Sequence, residues 1–395
     1  MKVQMLNHRR QMEYLRQHNG APLAQVLSSP GGPDMALAEK LQNVLSVYLN
    51  AGHCYALSSV TTALEVALRA LAFLTTGRPQ LTPEHRIVTS SLAFPWTVRA
   101  ILQAGGTPVL VDVEPGTLTP DPEVIREAIL QHKAMAVLHH DACGFAGTAD
   151  VISETARELS CFVVEDASLS LGAWCKRRAA GTFGDVGTVA LFPSRDVETE
   201  PNGAVICTSN NRLSITLRDL LMRRKSPLRH LRIEPLGASV MLSKMPHVDD
   251  FTNRRRTTAR LYCELLREVP LIGLPLVPGD ESHTHMCFPV RVPADLRSAV
   301  MRALRAQDVE TSLLWTTPLN RDAELRTRSI VHSDLTNASR ITRELLFLPM
   351  DPLMTVQEVL HVTRSLANAL TELSTSLVPS ASKQKETRKR TAWVA

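Results

Sequence analysis

The chain has 395 residues, of which 44% are Ala, Val, Ile, Leu, Met, Phe, Trp, Tyr or Cys and 21% are Asp, Glu, Lys or Arg, a globular composition that excludes wholesale disorder, collagen and coiled coil. Lys+Arg 44 against Asp+Glu 39 leaves a net charge of +5, too thin a surplus for a nucleic-acid groove, which needs clustered cations. No stretch is apolar enough for a membrane span, the first residues carry no apolar core behind their charges, and 7 scattered cysteines without a C-x-x-C pair fit reduced thiols rather than disulfides or zinc. The expectation is a soluble, cytoplasmic protein with no metal, no nucleic acid and no membrane.

From the amino terminus, residues 1–34 are polar and broken by Ser28-Ser29-Pro30-Gly31-Gly32-Pro33, which predicts an irregular arm. Ala36, Leu37, Leu41, Val44, Leu45, Tyr48 and Leu49 then recur at helical spacing. Short β-branched runs follow at 87–88, 108–113, 136–138, 162–165, 186–192 and 204–207, with helical patterns at 62–73, 95–104, 121–132 and 149–159. Buried strands separated by helices predict a mainly parallel sheet covered on both faces, with chemistry in the loops after the strand carboxyl ends. Past residue 245 the rhythm changes to a basic helix at 253–268, Pro- and Gly-rich sequence, a strand at 286–292, and helices at 294–306 and 356–370. The expected organisation is an arm 1–34, a large α/β domain 35–245, a small C-terminal α+β domain 246–375 and a basic solvated tail 376–395.

The turn Leu57-Ser58-Ser59-Val60-Thr61-Thr62 ends a strand and opens a helix on hydroxyl residues, where an anion can meet helix amides. After it, in order, come the segment from Thr89 to Phe94, Ala104-Gly105-Gly106-Thr107-Pro108-Val109-Leu110-Val111-Asp112-Val113, Val164-Glu165-Asp166-Ala167-Ser168, Gly181-Thr182-Phe183-Gly184-Asp185-Val186-Gly187 and Phe192-Pro193-Ser194-Arg195. This ordered set, spanning about residues 36 to 370, resembles the DegT/StrS group of sugar aminotransferases. The resemblance implies an α/β, fold-type I large domain with a mainly parallel seven-stranded sheet, a smaller C-terminal α+β domain, a homodimer with shared sites, and pyridoxal phosphate as cofactor. It also implies roles. Asp166 would face the pyridine nitrogen and keep it protonated, Phe94 would stack on the ring, Ser59, Val60 and Thr61 would form the phosphate turn, and Ser194 would be a further cofactor contact.

The same resemblance places the Schiff-base lysine where this chain has Arg195. A Schiff base needs an amine that can lose its proton and attack a carbonyl, whereas a guanidinium, with a pKa above ~12, stays protonated and offers only donors. Other positions depart too. Val60 stands where the family commonly has Gly, and its branched Cβ resists φ > 0 and crowds a phosphate; Ala190 replaces a serine, Leu169 a Gln or His, and Ser239 falls where the family has a partner-subunit Asn. Each loss removes a hydrogen bond worth about 1 kcal/mol, so pyridoxal or pyridoxamine phosphate is expected to be absent or weakly bound.

Several polar residues carry bland readings: Asp166 paired with Arg195 across a vacated pocket, Phe94 as core packing, His139-His140-Asp141 as a strand-end turn, His285 as structural, and Arg254-Arg255-Arg256 as a solvated helix face. Three functions remain open. The first is a degenerate or repurposed aminotransferase homologue in sugar or antibiotic biosynthesis, a pseudoenzyme or a subunit supporting an active family partner. The second is an enzyme using the same cleft without a lysine aldimine, dehydratase-like with pyridoxamine phosphate or cofactor-free, on an unknown small molecule. The third is an ordinary aminotransferase recruiting Lys176, Lys225 or Lys244.

Overall fold

The computed structural model describes residues 1–19, 36–190, 202–223, 226, 228–278 and 280–376. Residues 20–34 of the arm, Ser194 and Arg195 with the rest of their segment, Lys225 and the tail from 377 lie outside the described residues. In chain order the elements are α1 (His8–Asn19), α2 (Ala36–Leu49), β1 (His53–Ser59), α3 (Val60–Thr76), β2 (Arg86–Ser90), α4 (Pro95–Ala104), β3 (Thr107–Val111), α5 (Pro122–His132), β4 (Ala136–His140), α6 (Ala149–Glu158), β5 (Phe162–Ala167) and the hairpin β6 (Trp174–Cys175) and β7 (Arg178–Ala179). There follow β8 (Val186–Ala190), β9 (Asn202–Thr208), α7 (Asn211–Met222), α8 (Pro235–Lys244), α9 (Val248–Leu266), β10 (Phe288–Arg291), α10 (Arg297–Ala306), β11 (Ile330–Val331), α11 (Thr336–Glu344), β12 (Leu345–Leu348) and α12 (Val356–Ser376).

The main sheet has 8 strands in the order β1-β9-β8-β5-β4-β2-β3-β11. Only β9 runs against its neighbours; the seven expected strands are joined at the edge by β11, which pairs Ile330 with Val109 and Val331 with Leu110. Period-two alternation sorts the strand residues onto two faces. Leu138, Val164, Val186 and Ile206 pack with α3, α4 and α7, while Val137 and Val163 pack with α5 and α6, and Val189 and Val205 with α2 and α8. A separate core joins Tyr262 and Leu266 of α9 to β10, β12, α10 and α12, with β10 and β12 paired antiparallel.

The arm is not irregular throughout. His8–Asn19 is a helix, Val3 pairs with Val309, and Arg10 grips Glu358 through two hydrogen bonds of 2.7 and 3.0 Å. Leu15, 5% exposed, anchors the helix in a stretch that is otherwise polar in sequence, which is why the arm reads as irregular there. No helix of the described residues is long and apolar enough to cross a membrane, and all seven cysteines are free.

Candidate active site

β1 runs parallel to β8, so the ends of β1, β2, β4, β5 and β8 open on one edge of the sheet. At the first, Ser59 is the N-cap of α3: its Oγ accepts from the Thr62 amide at 3.2 Å, while Thr62 Oγ1 accepts from the Ser59 amide at 3.1 Å. This capping box satisfies two of the orphan groups of the helix start from within. Val60 is the first residue of the helix, fully buried in the core, and is not among the residues with positive φ. The expected conflict between a branched Cβ and a left-handed backbone therefore does not arise at Val60; its side chain faces inward. Thr61 is buried beside it.

Register places His140 of β4, Asp166 of β5 and Thr188 of β8 side by side on the face turned to α3 and α4. Asp166 is 1% exposed; its Oδ2 accepts from Thr97 Oγ1 at 2.8 Å and its Oδ1 from the Ser168 amide at 3.1 Å. Burial pushes its carboxyl above the usual range, against the pull of these donors. Both ring nitrogens of His140 and the Thr188 hydroxyl are buried without a hydrogen-bond partner among the described residues, and burial pushes the His140 imidazole down to about 3. His140 is thus a neutral ring, set edge-on to Phe94 at 5.9 Å.

Phe94 itself is 1% exposed and stacks on Trp96, at 4.1 Å between centroids and 11° between planes, and on Trp315, at 5.7 Å and 23°. At that burial the Phe94 ring has no face open to a further ring. Leu169 and Ala190 are buried in the same core cluster, which also holds Val60, Phe94, Trp96 and Trp315. Sequence reading missed both tryptophans. The available signal was that only 4 tryptophans occur in the chain and one stands two residues after Phe94; nothing in the sequence brings Trp315 there.

On the opposite face, Glu165 accepts from the amides of Gly181 at 2.6 Å, Phe183 at 2.7 Å and Gly184 at 3.3 Å. The Gly181 to Gly187 segment is the turn that wraps this carboxylate. Gly181 has φ 87, and a Cβ on Gly187 would lie 1.9 Å from the Gly181 carbonyl oxygen, so neither tolerates a side chain. Burial and the neighbouring Asp141 push Glu165 up to about 8, opposed by those amides. Asp141 is fully buried, its carboxyl pushed well above its ordinary range by burial against the pull of the Ser170 hydroxyl, and His139, pushed by burial down to about 4, stands 3.4 Å from it as a neutral ring rather than an ionic partner.

The remaining predicted residues scatter. Ser239 turns its hydroxyl back to the Leu236 carbonyl at 2.7 Å. Lys176 lies on the β6–β7 hairpin, paired with Asp150 at 2.7 Å. Burial lowers the Lys244 amine to about 8 at the end of α8. The solvated face expected of Arg254, Arg255 and Arg256 holds only for Arg254. Arg255 and Arg256 are buried, donating to the carbonyls of Thr284 at 3.2 Å and His283 at 3.0 Å, and Arg256 also to those of Gly172 and Glu281. They tie α9 to the irregular segment that precedes β10, where His283 and His285 stack at 3.8 Å. A polar pocket of about 370 Å³ opens beside the hairpin, lined among others by Asn50, Trp174, Arg177, Arg178 and Asp185; none of the predicted site residues among the described ones lines it.

The model of the DegT/DnrJ/EryC1/StrS aminotransferase family matches residues 23–367. Among curated relatives, a pleiotropic regulatory protein of Geobacillus stearothermophilus is 25% identical over 376 residues, covering 93% of this chain and 98% of that one. A dTDP-4-dehydro-2,6-dideoxy-D-glucose 3-dehydratase of Saccharopolyspora spinosa is 25% identical over 374 residues, covering 85% and 81%. Among solved structures, a DegT DnrJ EryC1 StrS aminotransferase from Brucella abortus superposes with a TM-score of 0.82 at 22% identity, over 93% of this chain and 99% of that one, a likeness of fold.

Proposed function

The chain belongs to the DegT/DnrJ/EryC1/StrS aminotransferase family, and from that premise we propose that it is a homologue in sugar or antibiotic biosynthesis that forms no lysine aldimine, a degenerate or repurposed cytoplasmic protein or a partner subunit of an active relative. The observation that carries this reading is Arg195, at the position where the family resemblance calls for lysine. A guanidinium keeps the charge and loses the nucleophile. The described side chains support it: Phe94 has no open face, and Asp166 already accepts from Thr97 and Ser168. As they stand they do not fit pyridoxal phosphate, so binding is absent or weak and no step is derived through the cofactor. The same reading takes the chain as half of a two-fold pair, with itself or with an active family member.

The dehydratase relative favours a second reading, an enzyme that uses this cleft with pyridoxamine phosphate and no lysine. One experiment separates the readings from an ordinary aminotransferase. The purified full chain is incubated with pyridoxal phosphate, its visible spectrum recorded, and the mixture reduced with borohydride before peptide mass mapping. No coloured adduct and no phosphopyridoxyl lysine are expected. An adduct on any lysine of the cleft, or on Lys244 with its lowered amine, overturns the proposal.

A further inference from the structure

We propose that the indole of Trp96 is a built-in occupant of the slot against Phe94, closing the cleft to a planar cofactor ring with the protein's own side chain. The inference rests on the reading above for which slot a ring would take, but not on Arg195.

The arrangement of Trp96 is that of one flat ring laid on another: 4.1 Å between centroids, 11° between planes, and 4% exposure for the indole. Its position is fixed from both sides. Phe94 precedes α4, Pro95 starts it, and the Thr97 hydroxyl on the next residue is tied to Asp166, which together fix the backbone from which the indole projects. Hydrogen bonding does not explain the choice of tryptophan. A buried indole N–H normally finds an acceptor, yet among the described residues Trp96 Nε1 has none, and neither does Trp315 Nε1. What the indole supplies is shape. On the wall beside it, His140 and Thr188 flank Asp166 with polar atoms that also lack partners. Polar groups without partners among the described residues, beside a filled aromatic stack, describe a slot with a polar lining whose space a side chain takes up. Trp315 closes the cluster from the C-terminal part of the chain, stacking on Phe94 and meeting Phe347 edge-on at 5.9 Å.

The test uses deoxypyridoxine phosphate, which carries the ring and phosphate but a methyl group in place of the aldehyde and so cannot form a Schiff base. Binding to the full-length wild type and to Trp96→Ala is measured by calorimetric titration, and the melting temperature of both is followed with added free indole. Wild type is expected to show no saturable binding, Trp96→Ala to bind at least about tenfold more tightly, and indole to raise the melting temperature of Trp96→Ala alone, because an apolar cavity takes up the ring that was removed. If Trp96→Ala does not fold, Trp96→Leu, which keeps more apolar volume and removes the plate, carries the same comparison. Wild type binding the probe as tightly as the variant, or a folded variant that gains neither probe nor indole binding, overturns the inference. The two proposals fail distinguishably: tight probe binding by wild type without a borohydride adduct sinks this one, and with it the weak cofactor binding proposed above, but leaves the absence of a lysine aldimine standing, and an adduct formed while the probe still fails to bind sinks only the earlier one.

Discussion

At the scale of single residues, the sheet edge concentrates groups that burial has driven out of their charged forms. Below its ordinary 6.5, an imidazole in the unfolded chain takes up a proton that His140 in the folded chain refuses until about 3. The unfolded state then binds more protons, so this contribution to stability is whole above pH 6.5 and is lost as pH falls toward 3. Glu165 acts in the opposite sense. Raised from 4.5 to about 8, it favours the folded state below 4.5 and loses that contribution as pH rises through 8. Because neither nitrogen of His140 has a partner, His140→Leu removes a titrating group without orphaning another. Urea unfolding should show the loss of stability between pH 6.5 and about 5 shrinking by up to about 2 kcal/mol in His140→Leu. An unchanged pH slope would mean that the imidazole is charged in the folded protein.

At the scale of elements, two of the segments that carry the family resemblance serve as joints. The glycine-rich turn wraps Glu165, and Asp112, at the end of the other segment, caps a helix far away in sequence: its Oδ2 accepts from the Asn337 amide and its Oδ1 from the Ala338 amide, both at 2.8 Å. These are the second and third amides of α11, whose own N-cap, Leu335, has no side-chain oxygen to offer. The carboxylate therefore acts as an N-cap supplied from β3's end, and it also sits favourably at the positive end of the helix dipole. Asp112→Ala should cost about 1–2 kcal/mol in chemical denaturation, with Asp112→Asn recovering part of it through its remaining carbonyl oxygen. Equal losses in the two variants would show that the cap is not what holds α11.

At the scale of the whole molecule, the amino-terminal residues lock onto the C-terminal core. Besides the Arg10–Glu358 pair, Gln11 Nε2 donates to Asp351 Oδ2 at 2.6 Å and the Asn7 amide to the same oxygen at 2.8 Å. Burial pushes the Glu358 carboxyl up, but the donors Arg10 and Thr355 outweigh it and hold the group below its ordinary range. Arg10→Ala leaves that mostly buried carboxylate with only the Thr355 donors and should destabilise the fold by about 1–3 kcal/mol. Glu358→Gln in the Arg10→Ala background should restore much of this, since no charge then remains buried. A melting curve for Arg10→Ala that matches wild type would show that the Arg10–Glu358 pair contributes nothing to stability.

By itself the sequence determined the alternation of strands and helices, because periods of two and near four are written in consecutive residues: Leu41, Leu45 and Leu49 face inward on α2, and Val163 and Val164 divide between two faces of the sheet. It also placed Ser59 as a helix start, since the capping box with Thr62 spans only three residues. Tertiary structure alone decided what depends on residues distant in the chain. Val60 turned out to be helical and buried, Arg255 and Arg256 were drawn inside by carbonyls of residues 283 and 284, and the face of Phe94 was covered by Trp315, more than two hundred residues away. A side chain's partners across such distances depend on how whole layers stack, and no local spacing records that.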